Sequence, residues 1–315
     1  MVTFTEKLGN VDEYFKQLQI CRQLSWPEPY PVFKNWKPVA NIDILLEARR
    51  FAKANAPVIV RQIYYHLVTV QLLASGKYDL VKRLMVQARN CGLINMDWII
   101  DKTRQRRRPP VWDNMPEILN AAVNQFRRDW HIDQGTYVEV WLEKHSLEEI
   151  FYNVTRGYGV YLVPGGGSQS TPIIWESAQN FKTAIARGQK LKILYFGDLN
   201  ATGKNMMPDI LRRLKLYGVA NVDLDEVALN EADVLQYNLP RNPEKTKDSR
   251  AKWFAEKYPN VKYSVELDAL SPEILRSKIR TAIESNIDME KLRARQAHDD
   301  LIRSITHDRL RNLVV

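Results

Sequence analysis

Cysteine is almost absent from the chain, which has only Cys21 and Cys91 in 315 residues. Two thiols cannot build a disulfide framework or a four-cysteine zinc site, so stability has to come from a buried core. Long apolar runs are also missing. None approaches the ~18 residues that span a bilayer, and the opening MVTFTEKLGN lacks the apolar stretch of a secretory signal. The expectation is a cytoplasmic protein with no membrane partner, nucleoid-associated if its host is prokaryotic. No P-loop spacing occurs, which argues against a P-loop ATPase. What is present is ordinary: 45% hydrophobic and 26% charged residues suit a globular chain, and at ~150 residues per domain its length suggests about two domains.

The net charge of +9 is unevenly spread. Residues 1–130 hold 20 Lys and Arg against 12 Asp and Glu, whereas residues 131–315 hold 26 against 25. A basic part joined to a nearly neutral one suggests that the first holds a polyanion such as DNA while the second does other work. A solvated basic surface gives the same arithmetic.

Residues 1–40 form an amino-terminal extension with the proline- and tryptophan-rich run SWPEPYPVFKNWKP. Residues 41–130 contain three short helical patterns. IDILLEARRFAKA (42–54) puts Ile44, Leu45 and Ala48 on one side. IVRQIYYHLVTV (59–70) follows Asn55 and Pro57, read as its cap and first-turn proline. The third pattern runs from Tyr78 to Asn90 and stops at Gly92. LINMDWII then reads as a short strand and DKTRQRRRPP as a basic loop. Three helices, a strand and a basic loop fit a winged helix, whose third helix enters the major groove, and they also fit an unrelated small helical domain. Lys82, Arg83 and Arg89 on the third helix, with Arg104, Arg106, Arg107 and Arg108 in the loop, are placed to meet DNA phosphates. A helix from Met115 to Trp130 closes this part.

From residue 131 strands and helices alternate. TYVEVWLE, YGVYLV and LKILYFGD read as strands; SLEEIFYNVT, TPIIWESAQNFKTAIA and KNMMPDILRRLKLYG read as helices. That order implies an α/β fold with a parallel sheet flanked by helices over 131–235, its functional groups at the carboxyl ends of the strands. Two such ends carry Glu143 and Asp198, with Asn200 beside the latter. Brought together they form an oxygen-donor site suited to Mg2+, with Mn2+ as an alternative; a salt bridge at Glu143 and a helix cap at Asp198 are the bland explanation. Gly166, Gly167 and Ser168 follow a strand and precede a helix, as a phosphate-cradling loop or a flexible turn does. Residues 236–315 are expected to complete the sheet unit and supply dimer contacts. There Ser271 and Pro272 open a helix, 289–313 is a final charged helix, and Glu266 and Asp268 are either a third acidic site or, as an isolated acidic pair more often is, structural or interface residues.

The pairing of LEKHS with FGDLNATG resembles a Toprim domain, the metal-binding module of topoisomerases, primases and some nucleases. Upstream, Arg61-Gln62-Ile63-Tyr64-Tyr65 resembles the Arg-x-x-Tyr-Tyr motif of the topoisomerase VI A subunit and its meiotic double-strand-break relatives. The order of the two motifs is that of the family, the similarity covers roughly residues 40–225, and the compact Mini-A forms are the most similar. The resemblance implies a winged helix bearing the nucleophile Tyr65, then Toprim with Glu143 and Asp198 on Mg2+. Asn200 stands where a second aspartate is expected, which weakens one metal position. It further implies double-stranded DNA as substrate, a 5′-phosphotyrosyl link, a homodimer that cuts both strands with each tyrosine beside the other subunit's metal, and a separate ATPase B-type subunit for strand passage. Two other readings stand: a Toprim nuclease using metal-activated water, and a non-cleaving DNA-binding protein with a degenerate site.

The chemistry of Tyr65 is constrained in any case. A phenol with a pKa of about 10 is protonated at neutral pH, so attack on phosphorus requires a base or adjacent positive charge. Arg61, four residues earlier, shares a helix face with Tyr65 and is expected to favour the phenolate and hold a phosphate oxygen. Tyr64 points ~100° away and is expected to pack. His66 is either a proton shuttle or structural.

Overall fold

A computed structural model describes residues 41–90, 93–100, 109–166, 169–243 and 250–313. Helices α1 (Ile42–Asn55), α2 (Val60–Thr69) and α3 (Tyr78–Asn90) share one apolar cluster. Its buried positions recur at helical spacing, with Leu45, Ala48 and Ala52 on α1 and Val81, Leu84, Met85 and Ala88 on α3. Asn55 and Pro57 do not open α2 as expected. Proline disfavours helical backbone at the residue before it, so α1 ends at Asn55 and Ala56 is extended. Val58 then pairs with Ile99, and the cap of α2 is Ile59, whose N–H donates to Gln62 Oε1 at 3.1 Å. The short strand expected from Leu93 is instead a 3-10 turn, Met96–Trp98, followed by that single bridge. Gly92 and the basic loop at 101–108 lie outside the described residues.

Helix α4 (Met115–Gln125) stops short of Trp130. The segment beyond it is held by the carboxyl-terminal helix: Asp299 accepts from the Arg128 backbone at 3.1 Å and from Trp130 Nε1 at 2.7 Å. Four parallel strands follow, β1 (Thr136–Leu142), β2 (Tyr161–Pro164), β3 (Lys190–Phe196) and β4 (Asp223–Ala228), in the order β2-β1-β3-β4. Period-two alternation sends Val138, Val140, Leu142, Leu194 and Phe196 to one face of the sheet and Trp141, Leu191, Ile193 and Tyr195 to the other. Helices α5 (Glu148–Tyr158), α6 (Thr171–Ala186) and α7 (Ala201–Leu216) connect the strands. Helix α5 covers the first face, and α6 and α7 cover the second.

Beyond β4 come α8 (Glu231–Gln236), the short antiparallel pair β5 (Asn242–Pro243) and β6 (Tyr263–Ser264), and α9 (Ala251–Lys257) between them. Helix α10 (Pro272–Glu284) buries Leu275, Ile279 and Ile283 under the first face, each worth roughly 1.5–3 kcal/mol of burial. Ser271 caps it as expected, accepting from the Ile274 amide at 3.3 Å. Helix α11 (Met289–Leu313) packs along α4. No helix among the described residues is long and apolar enough to cross a membrane.

Candidate active site at the carboxyl ends of β1 and β3

The chain leaves β1 for β2 on one side and returns to β3 on the other. The reversal creates a crevice between β1 and β3, where open α/β sheets bind ligands. Leu142 and Phe196 are register partners at that end, so the residues just beyond them meet. Glu143 Oε2 accepts from the Asp198 backbone amide at 2.7 Å, and Asp198 Oδ1 accepts from the Leu267 amide at 2.8 Å. Both carboxylates are buried. Burial, with Asp198 alongside, pushes Glu143 up to about 8, and burial also raises Asp198.

Asn200 has a different job from the expected ligand. Its Oδ1 accepts from the Gly203 amide at 2.9 Å, which caps α7, and its Nδ2 donates to Asp198 Oδ2 at 3.2 Å. An aspartate would supply the cap but not that donor. Gly203 is equally constrained, because a Cβ there would lie 2.3 Å from the Asp198 carbonyl oxygen and 2.7 Å from Glu143 Oε2. In FGDLNATG, then, Asp198 supplies the carboxyl group, Asn200 holds the turn, and Gly203 leaves room for the glutamate.

A second acidic pair arrives from the carboxyl-terminal part. Leu199 and Val265 form a two-hydrogen-bond bridge at 2.9 and 3.1 Å, which brings Glu266 and the 3-10 turn Leu267–Ala269 against Asp198. Lys144 Nζ lies 2.8 Å from Glu266 Oε2, 3.3 Å from Asp198 Oδ1 and 3.4 Å from Asp268 Oδ2. Arg61 reaches across from α2 to pair with Glu266 and approaches Asp268 at 3.7 Å. Burial opposes ionisation of Glu266, yet Lys144 and Arg61 hold it at about 2. Asp268 is pushed up to about 6 because its burial outweighs Lys144. Lys144 stays cationic despite burial because Asp268, Asp198 and Glu266 surround it.

Tyr65 faces this cluster from α2. The segment carrying Ala269 packs on the same apolar cluster that buries Tyr65, and the charges of Glu266, Lys144, Arg61 and Asp268 all act on its phenol. The expected activation by Arg61 is outweighed: burial first, then Glu266, raises the phenol above its ordinary value, while Lys144 and Arg61 pull the other way. Tyr64 packs as expected, with its ring against Tyr78 and its hydroxyl accepting from the Gly76 amide at 2.9 Å. His66 is structural. It stacks on Phe51 with 4.2 Å between ring centroids and pairs with Glu47 at 2.5 Å.

A groove of about 670 Å³ opens beside the cluster, lined by Arg61, Tyr78, Lys82, Arg89, Lys144 and Asp268 among others. Lys82 also pairs with Asp79, while Arg83 is exposed on α3 and does not line the groove. Arg104, Arg106, Arg107 and Arg108 lie outside the described residues, as do Gly167 and Ser168. Gly166 pairs its backbone with Lys144, so the glycine loop borders the same site.

Comparison with family models, with characterised proteins and with solved structures finds no match to the chain. The site therefore rests on its own geometry. Among the described residues no three His, Cys, Asp or Glu side chains form a ready-made metal cage. Carboxylate oxygens, the donor type a hard divalent ion takes, are nonetheless gathered here. Four carboxylates face two cations, and Asp268 Oδ1 is buried with no hydrogen-bond partner among the described residues.

The sequence offers Glu266 and Asp268 as a third acidic site but favours a structural or interface role for them, and it gives Lys144 none. The usable signal was a glutamate and an aspartate two apart, ELD, just after an apparent strand. Sequence reasoning also passed over Glu139, fully buried on β1, which accepts from Trp141 Nε1 at 2.9 Å and is pushed up to about 7 by burial.

Proposed function

We propose that the chain is a divalent-metal-dependent DNA-cleaving transesterase of the topoisomerase VI A type, with a winged-helix unit carrying Tyr65 and a Toprim unit carrying Glu143 and Asp198. One observation carries this reading: within a single chain the Tyr65 helix docks against Glu266–Ala269, whose carboxylates lie next to Asp198 and Glu143. Arg61 from one motif and Lys144 from the other line one groove with basic walls, and Tyr65, Glu143 and Asp198 lie behind that lining. Double-stranded DNA is the substrate that suits those walls, and it would place the protein in the cytoplasm or nucleoid.

In the reaction the Tyr65 oxygen bonds to a backbone phosphorus, the bond from phosphorus to the 3′ oxygen breaks, and the 5′ end stays on the protein. The buried phenol must first pass its proton to water or to a carboxylate of the cluster, so DNA binding has to offset the Glu266 charge that now disfavours the phenolate. Glu143, whose carboxyl is raised by burial and by Asp198, is suited either to hold the ion as a carboxylate or, where it keeps its proton, to give one to the departing 3′ oxygen. Glu143 and Asp198 would hold Mg2+ or Mn2+, which supplies charge neutralisation at the phosphate when bound. Each chain offers one nucleophile, Tyr65, and cuts one strand, so a double-strand break takes a homodimer, and strand passage takes a separate ATPase subunit.

A Toprim nuclease using metal-activated water is the second reading. The burial of Tyr65, 5% exposed, favours it. Supercoiled DNA incubated with Mg2+ or Mn2+, stopped in detergent and resolved with and without protease digestion separates the two. Protein-linked ends support the transesterase; free ends support the nuclease.

A further inference from the structure

Three carboxylates from two stretches of chain converge on the Lys144 ammonium: Glu266 at 2.8 Å, Asp198 at 3.3 Å and Asp268 at 3.4 Å. An ammonium has three N–H donors and no acceptor, so one lysine head suits three such oxygens. An all-oxygen set drawn from aspartate and glutamate is also what a hard divalent ion takes. Here a side chain of the protein fills that place. Asp268 supplies an independent sign of demand for a cation. It is 2% exposed, one of its oxygens faces Lys144, and the other, Oδ1, is buried with no hydrogen-bond partner among the described residues. Native structures rarely leave a buried carboxylate oxygen in that state without an ion or water nearby.

The charges limit how many ions fit. Glu143, Asp198, Glu266 and Asp268 bring four carboxylates, and Lys144 and Arg61 bring two cations. When all are ionised, one divalent ion neutralises the remainder. A second would leave the site with excess positive charge.

We propose that Lys144 is a built-in cation whose ammonium takes the position a second divalent ion would otherwise hold, with Asp198, Glu266 and Asp268 as its carboxylate partners. This rests on the reading of Glu143 and Asp198 as a divalent-ion site. It accounts for an asparagine at position 200, since a site whose second cation is a lysine has no use for a carboxylate there. Asn200 instead donates to Asp198 Oδ2 and holds the start of α7. Lys144 also lines the basic groove, where a phosphate would meet its charge.

Counting bound Mn2+ on the full chain by electron paramagnetic resonance tests the proposal, because a merely structural salt bridge would leave the count alone. Wild-type protein is expected to bind one ion and Lys144→Met two, the extra ion entering the vacated carboxylates. Lys144→Arg keeps the charge and should keep the wild-type count. Asp268→Asn added to Lys144→Met should return the count to one. If Lys144→Met does not fold in chelator, Lys144→Gln purified in Mn2+ serves in its place. Equal counts in wild type and the neutral variant overturn the proposal, whatever that count is. No ion in wild type with one in the neutral variant upholds the built-in cation while removing the divalent reading of Glu143 and Asp198.

Discussion

Arg61 on α2 is ion-paired with Glu266, 205 residues later in the chain, on the same carboxylate oxygen that Lys144 approaches at 2.8 Å. The helix carrying Tyr65 is therefore held by charge to the carboxyl edge of the sheet. Arg61 is partly exposed, so solvent screens the pair, and a double-mutant cycle of Arg61→Ala and Glu266→Ala should give a coupling of about 1 kcal/mol in urea unfolding. A coupling near zero, insensitive to salt, would mean that the helix docks through apolar contact alone.

Asn200→Asp should act in opposite directions with and without metal. In chelator it loses the donor to Asp198 Oδ2 and sets two carboxylates side by side, at a cost of about 1–3 kcal/mol. With Mg2+ the added charge should strengthen binding, so the stabilisation by Mg2+ exceeds that of wild type. Thermal melts of both proteins in chelator and in Mg2+ measure this. An identical metal response would place residue 200 outside the reach of the ion.

Much of the architecture was legible because local pattern and tertiary role agree. Helices α3, α6 and α11 begin and end where periodicity puts them, and the order of strands and helices gives a parallel sheet. Glu143 and Asp198 were legible because strand ends at a sheet reversal are where such groups gather. The misses come from long-range partners. Nothing local marks Arg128 and Trp130 as ligands of Asp299, which ends α4 early. Lys144, Glu266 and Asp268 acquire meaning only through the Leu199–Val265 bridge, and one residue's slip in that bridge would point the acids elsewhere.

Stability of the metal-free protein should fall as pH rises from about 5 to about 8. Glu143 is raised from 4.5 to about 8 and Asp268 from 3.8 to about 6, so the folded state keeps protons that the unfolded chain has released. Their contribution is whole below the unfolded values and is lost as pH rises through 6 and then 8. Glu266, lowered from 4.5 to about 2, acts in reverse: its contribution is present above 4.5 and is lost as pH falls towards 2. Urea midpoints at pH 5, 7 and 9 should decline in chelator, and Glu143→Gln should flatten the upper part. A midpoint that rises from pH 7 to 9 in wild type would contradict the assigned shifts.

The docking of α2 on Glu266–Ala269 of its own chain predicts a site complete within each subunit. Tyr65→Phe and Glu143→Ala proteins should each be inactive. Mixed subunits, with exchange verified by co-purification of two tags, should stay inactive because neither chain holds both residues. Nicking by the mixture would instead demonstrate a tyrosine working beside the other subunit's glutamate, as the resemblance to topoisomerase VI A implies.

The most direct test of the account is the covalent state of Tyr65 on DNA. Wild type and Tyr65→Phe are incubated with end-labelled double-stranded DNA and Mn2+, stopped in detergent, and digested for peptide mass spectrometry. The change removes only a hydroxyl, so folding and DNA binding should persist. Wild type should yield a peptide spanning Tyr65 joined to a 5′ phosphate, and Tyr65→Phe should yield none, with cleavage reduced at least 100-fold, about 2.7 kcal/mol in the barrier. An adduct surviving in Tyr65→Phe, or cleavage by wild type that leaves only protein-free ends, would contradict the assignment.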